Sequence, residues 1–157
     1  MRTFTFQTQI IASLLMLLQA LMMVLGFVSL EAIPFWIQQV GHFHPLLLHL
    51  PIAFTLLLIP ASLFVRNDET EKGSVFILFL HYNALFATIT ALLGLLAAAN
   101  GEFDNDTLFI HKWLSIATAV CSHLLIYLYQ LPAIKKQFFQ LAVVLTSTIM
   151  IIGSHFG

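Results

Sequence analysis

Seven histidines stand in this chain of 157 residues: His42, His44, His49, His81, His111, His123 and His155. Imidazole ligates iron, copper and zinc, and it stays neutral enough to lie in a low-dielectric helical bundle. Metal or cofactor binding is therefore the first chemistry that these residues suggest. They are not evenly scattered. His42, His44 and His49 cluster around Pro45 and Pro51, while His111 and His123 stand twelve residues apart, at the start and in the middle of another apolar stretch. Other chemistries find less support. Glu102, Asp104 and Asp106 sit with Gly101 and Asn105 in a segment that reads first as a solvated turn. No nucleophile motif, phosphate loop or metalloprotease helix is present. No CxxCH occurs, which excludes covalent c-type haem within these residues, and Cys121 stands alone in an apolar run as a small core residue does.

The elements that must position these side chains follow from composition. The chain is 60% hydrophobic and only 8% charged, against roughly half and about a quarter in a soluble domain. Its six basic and seven acidic residues fall in clusters, leaving uncharged runs at 5–30, 43–65, 75–99, 113–134 and 137–157. About 20 apolar residues cross a hydrocarbon core about 30 Å thick, so each run is long enough for a span. Lipid offers the backbone no hydrogen bonds, and the runs must therefore be helices. The expected fold is all-α, a polytopic transmembrane bundle of about five helices surrounded by membrane lipid. A net charge of −1 without a basic run argues against a nucleic-acid partner.

Orientation follows from the basic residues. With the N-terminus cytoplasmic, Arg2, Arg66, Lys72, Lys135 and Lys136 all lie inside, and Lys112 alone departs from the positive-inside rule. The C-terminus is then periplasmic, in a multi-pass protein of a bacterial inner membrane. The first run is longer than the apolar core of a signal peptide and shows no small-x-small cleavage site near Ser29 to Ala32. It reads as an uncleaved signal anchor. In this topology His42, His44, His49, His111 and His155 share the outer face, whereas His81 and His123 lie roughly 10 Å in from the cytoplasmic ends of their helices. The interfacial histidines also suit helix capping and water contacts. The two deeper ones stand where ionisable residues are uncommon and face a bundle interior or a polar path, although hydrogen bonds to Ser122, Asn83 or Thr88 would satisfy them without a ligand. His111 and His123 are about 18 Å apart along one helix and roughly 120° apart around it, which suits two stacked sites better than one. Pro45 fits a first helical turn, and Pro51 frees the carbonyl of Leu47, distorting the helix start beside the histidines. Gly94 and Ala98 form a small-xxx-small pair that admits either a cofactor or a neighbouring backbone.

The segments Gly41 to Phe54 (GHFHPLLLHLPIAF), Ala91 to Leu114 (ALLGLLAAANGEFDNDTLFIHKWL) and Ile152 to Gly157 (IGSHFG) resemble a bacterial membrane family described as domain of unknown function 2231. The most specific parts are the His-Pro-three-residue-His-x-Pro pattern at His44 to Pro51, the His-x-Trp at His111 to Trp113, and the glycine-and-histidine end at Gly153 to Gly157. The resemblance covers about residues 41–157 and divides the chain into an N-terminal helix with a periplasmic linker, 1–40, and a four-helix membrane domain, 41–157. Span one looks like an addition to the family core, and relatives continue past the position of Gly157 through a glycine-rich segment with a further His. Family members are often fused to, or encoded beside, periplasmic planctomycete-type c-type cytochrome modules. The resemblance thus implies a redox setting and a c-type cytochrome or other redox subunit as partner, without an established activity.

The expectation is an electron-transfer subunit rather than an independent enzyme. His49, His111 and His155 are candidate ligands of a b-type haem at the outer face, with His44 beside them; His81 and His123 would hold a second haem. Lys112 would pair with a haem propionate and Trp113 would pack in the interfacial belt. Two other readings stay open. One is a non-redox anchor or assembly subunit, alone or as an oligomer, for a periplasmic partner. The other is copper or zinc handling at the outer face through His42, His44, His49, His111, His155 and the acidic loop.

Overall fold

Helices account for every regular element in the described residues of the structure, a computed structural model that covers 2–28, 34–64, 71–99 and 105–156. In chain order they are α1 (Arg2–Phe27), α2 (Phe35–Gln38), α3 (His44–Phe64), α4 (Glu71–Ala98), α5 (Asn105–Gln130) and α6 (Lys136–His155), with a 3-10 turn, Gln39–Phe43, between α2 and α3. Among the described residues, five segments are long and apolar enough to cross a membrane: Gln7–Phe27, Phe35–Phe64, Gly73–Ala98, Asp106–Gln130 and Lys136–His155. Arg66, the cleavage region Ser29 to Ala32, Glu102, Asp104 and Gly157 lie outside the described residues, as do the side chains of Arg2 and Lys72.

The helix limits differ from the uncharged runs where a charge is tolerated. α5 begins at Asn105, ahead of Lys112, because a lysine near a helix end can lay its stem on apolar surface. The Lys112 ammonium lies 5.3 Å from the centre of the Trp113 ring. Pro45 is the second residue of α3, where its missing N–H costs nothing, whereas Pro51 and Pro60 lie inside that helix. α5 stops at Gln130, two residues before Pro132, and the turn back to α6 is closed by the Ile134 N–H on the Leu131 carbonyl at 3.1 Å.

Packing makes α4 the hub. Over half of its spanning window is buried, 56% against 17% for α1. α4 packs on α3 and α5, and α6 packs on α3 and α5, so these four helices close a ring; α1 lies outside it against α4 and α5. Helices this apolar on their outer faces gain from close van der Waals contact between small residues. Ala84, Ala87 and Ala91 of α4 and Ala119 of α5 are accordingly buried and small. At one end Phe76, Tyr129 and Phe139 fill the ring with centroids 5.0 to 6.1 Å apart. Buried hydroxyls mostly turn back onto their own helix: those of Thr88, Thr118, Thr146 and Ser147 donate to the carbonyl four residues earlier at 2.8–2.9 Å. Thr55 instead donates across to Asn83 Oδ1 at 2.8 Å, joining α3 to α4.

Candidate functional site

Four histidines sit on the inward stripes of these helices, and they form two pairs in two different seams. The first pair lies inside the four-helix ring. α3 presents His44, Leu48, Pro51 and Ile52 at helical spacing, α4 presents Ala87, Thr90 and Ala91, α5 presents His111, Ser115 and Thr118, and α6 presents Met150, Gly153 and Ser154. Together they line a cavity of about 40 Å³. The His44 and His111 rings meet edge to face with centroids 5.9 Å apart. Close backbone approach makes room for His44: a Cβ on Gly94 would lie 3.0 Å from its Cε1, and a Cβ on Gly41 would collide with the backbone of Ala97. Gly94 therefore admits an imidazole, where the small-xxx-small pattern left the visitor open.

The second pair, His81 of α4 and His123 of α5, faces α1. A roughly 120° turn between His111 and His123 carries one ring into the bundle and the other to its flank. The stripe Ser74, Ile77 and His81 of α4, the stripe His123, Ile126, Tyr127 and Gln130 of α5, and Thr8, Gln9 and Ala12 of α1 line a cavity of about 390 Å³. Tyr127 packs on His123 with ring centroids 5.1 Å apart.

One feature unites the four rings. His44 Nδ1 lies 2.9 Å from the Thr90 carbonyl, His111 Nδ1 2.8 Å from the Gly153 carbonyl and His81 Nδ1 2.8 Å from the Ile77 carbonyl. A carbonyl only accepts, so each Nδ1 carries the proton and, in the neutral ring, each Nε2 is left as a lone pair. His123 reaches the same state through a side chain. The Gln19 amide nitrogen donates to the Ala119 carbonyl at 3.0 Å and to Thr88 Oγ1 at 3.3 Å, which turns Gln19 Oε1 toward His123 Nδ1 at 2.7 Å. Histidines that bind metals are held this way, with the far nitrogen donating to an oxygen that fixes tautomer and orientation. His111 Nε2 has the Ser115 hydroxyl at 3.5 Å, a long contact for an O–H···N bond.

The remaining sequence candidates stand apart. His42, His49 and His155 are exposed, and the His155 ring packs against Phe156 at 5.6 Å. His49 is five residues from His44, about 140° around α3, and so lies on another face of that helix. Lys112 lies over Trp113, and Trp113 packs on Phe27 of α1 with centroids 5.0 Å apart. Ser122, Asn83 and Thr88 do not hold the deeper histidines: Asn83 takes the Thr55 hydroxyl, Thr88 takes Gln19, and Ser122 Oγ is buried without a partner. Gln19 carries a sequence signal of its own. It is the only side chain with strong hydrogen-bonding groups between Ser13 and Ser29, in the run LLMLLQALMM. Met150, by contrast, carries no signal that would separate it from an ordinary apolar residue.

The two cavities admit different occupants. Organic ligands and cofactors take about 300–1,000 Å³, and the His81–His123 cavity is of that size, with two imidazoles on its wall. The His44–His111 cavity does not fit a haem; it has room for water or a bare ion. No family model, curated protein or solved structure matches this chain.

Proposed function

We propose that this protein is a membrane electron-transfer subunit that carries one b-type haem on His81 and His123. The observation that carries the reading is that both rings have Nδ1 tied to an oxygen and both line the same cofactor-sized cavity between α1, α4 and α5. One-electron transfer is the chemistry a haem supplies when bound. The chain supplies the rest. The Ile77 carbonyl and Gln19 hold the two imidazoles in the ligating tautomer, α1 covers the flank, and Tyr127 buttresses His123. Hydrogen bonding at Nδ1 raises the basicity of Nε2 and so tunes the potential of any iron it binds.

Setting and partner belong to the same proposal. Five of the six basic residues fall on the side of the N-terminus, which supports a cytoplasmic N-terminus and a bacterial inner membrane as location. The resemblance to domain of unknown function 2231 supports a periplasmic c-type cytochrome as the class of partner. The outer-face site expected on His49, His111 and His155 is not carried forward as a haem site, because two of the three side chains are exposed and the third lines the smaller cavity.

A reduced-minus-oxidised spectrum with a pyridine haemochrome assay on detergent-purified protein tests the reading. A b-type spectrum at one haem per chain, lost in His81→Ala and in His123→Ala, is the expected result. Protein that is colourless when expressed with ample haem overturns it and leaves the anchor reading.

A further inference from the structure

From the His44–His111 cavity we infer a second, separate site: a monovalent copper ion held by His44, His111 and Met150 within the four-helix ring. The size of the space comes first. About 40 Å³ holds an ion or a water or two and falls well short of the roughly 300–1,000 Å³ that organic ligands take. Two imidazoles sharing one ion through bonds of about 2.0–2.1 Å have ring centres roughly 6 Å apart, and His44 and His111 already stand at 5.9 Å. Each is pinned by a backbone carbonyl, Thr90 on α4 and Gly153 on α6, so the two lone pairs are set by the fold and need not be recruited. A second polar group also waits there. Thr90 is 4% exposed, lines the cavity, and its Oγ1 has no hydrogen-bond partner, which is a costly state for a buried hydroxyl unless something in the cavity meets it.

Charge and softness select the ion. Among the described residues, the lining of this cavity contains no Asp, Glu or Cys, so a divalent ion here would bring two charges into a low-dielectric interior with no anionic ligand beside it. A monovalent ion brings one. The third side chain able to ligate is the thioether of Met150, one turn before Gly153 on the buried face of α6. Thioether and imidazole together suit Cu(I) and give little to zinc, which in proteins takes thiolate, imidazole and carboxylate. The ligands come from three helices, α3, α5 and α6, so the ion would also clamp the ring at this end.

The test is anaerobic Cu(I) titration of the detergent-purified protein against bicinchoninate, with X-ray absorption on the loaded wild type. One Cu(I) per chain is expected, with a copper–sulfur shell beside two copper–nitrogen contacts. His44→Gln and His111→Gln should lose the ion. Met150→Leu, which conserves volume, should weaken retention at least as much as loss of an outer partner does, roughly 10–100-fold. His123→Ala should titrate as wild type, which separates this site from the haem proposal. Failure to retain Cu(I) overturns the inference and leaves a bridging water only. A nitrogen-only spectrum with Met150→Leu unchanged, or equal retention of Zn(II), overturns it as well.

Discussion

The two histidine pairs are built alike and housed differently. In both, an oxygen holds each Nδ1 and leaves Nε2 as the acceptor nitrogen of the neutral ring. The His44–His111 pair is enclosed by four helices that must pack on one another in any case, and its cavity is about 40 Å³. The His81–His123 pair lies on the flank of that ring, where only α1 completes the wall, and its cavity is about 390 Å³. Tight helix packing shrinks a site to the size of an ion, whereas a single added helix leaves room for a cofactor. The shared tautomer gives both pairs the same donor atoms, and the number of helices that close each seam sets the space those atoms share.

The strongest way to break that contrast is to exchange the two sites in a single assay. His123→Ala should abolish the haem spectrum while His44→Ala leaves it at wild-type intensity; the reverse pattern would invert the assignment of the two cavities. Removing α1's contribution should have a smaller but still large effect. Gln19→Leu takes away the acceptor that orients His123, and haem retention, followed by transfer to apomyoglobin, should weaken roughly 10–100-fold. The stability change in that variant should be modest by comparison, since interhelical hydrogen bonds in membranes average about 0.6 kcal/mol.

A third prediction sharpens the contrast from the other side. Gly94→Ala places a methyl group 3.0–3.1 Å from two atoms of the His44 ring, and overpacking of this kind costs about 1–3 kcal/mol. Denaturant unfolding in detergent should show that loss, and Cu(I) retention should fall while the haem band is unmoved. An unchanged copper titration would mean that the His44 ring does not need its place against α4. The smallest effects belong to the exposed histidines. His49→Ala and His155→Ala should leave both ligands bound and shift stability by no more than about 0.5 kcal/mol.

Much of this architecture can be read from the sequence, and the reasons differ by level. The five spans follow from long uncharged runs, because lipid forbids any other backbone solution for such segments. Their limits are less legible: Lys112 divides a run on paper yet lies inside α5. The pairing of His81 with His123 is legible because both fall at one depth in neighbouring antiparallel helices. The outer trio is harder. Depth groups His49 and His155 with His111, but depth says nothing about the angle around a helix, and the 140° from His44 to His49 decides which of them enters the ring. Three of the four oxygens that set the histidine tautomers are backbone carbonyls, which every residue carries and no sequence pattern marks. Gln19 is the exception, a lone amide in an apolar helix, which the sequence does mark.

That amide also imposes an order on assembly. Synthesis runs from the N-terminus, so Gln19 is made while its partner, 104 residues further along the chain, is still to come. Until α4 and α5 arrive, α1 carries an unmatched amide whose exposure to hydrocarbon is unfavourable. The hydrogen bond that holds His123 therefore also ties α1 to helices made after it: in a product lacking the second half of the chain, Gln19 is left as an unsatisfied polar spot on an apolar helix.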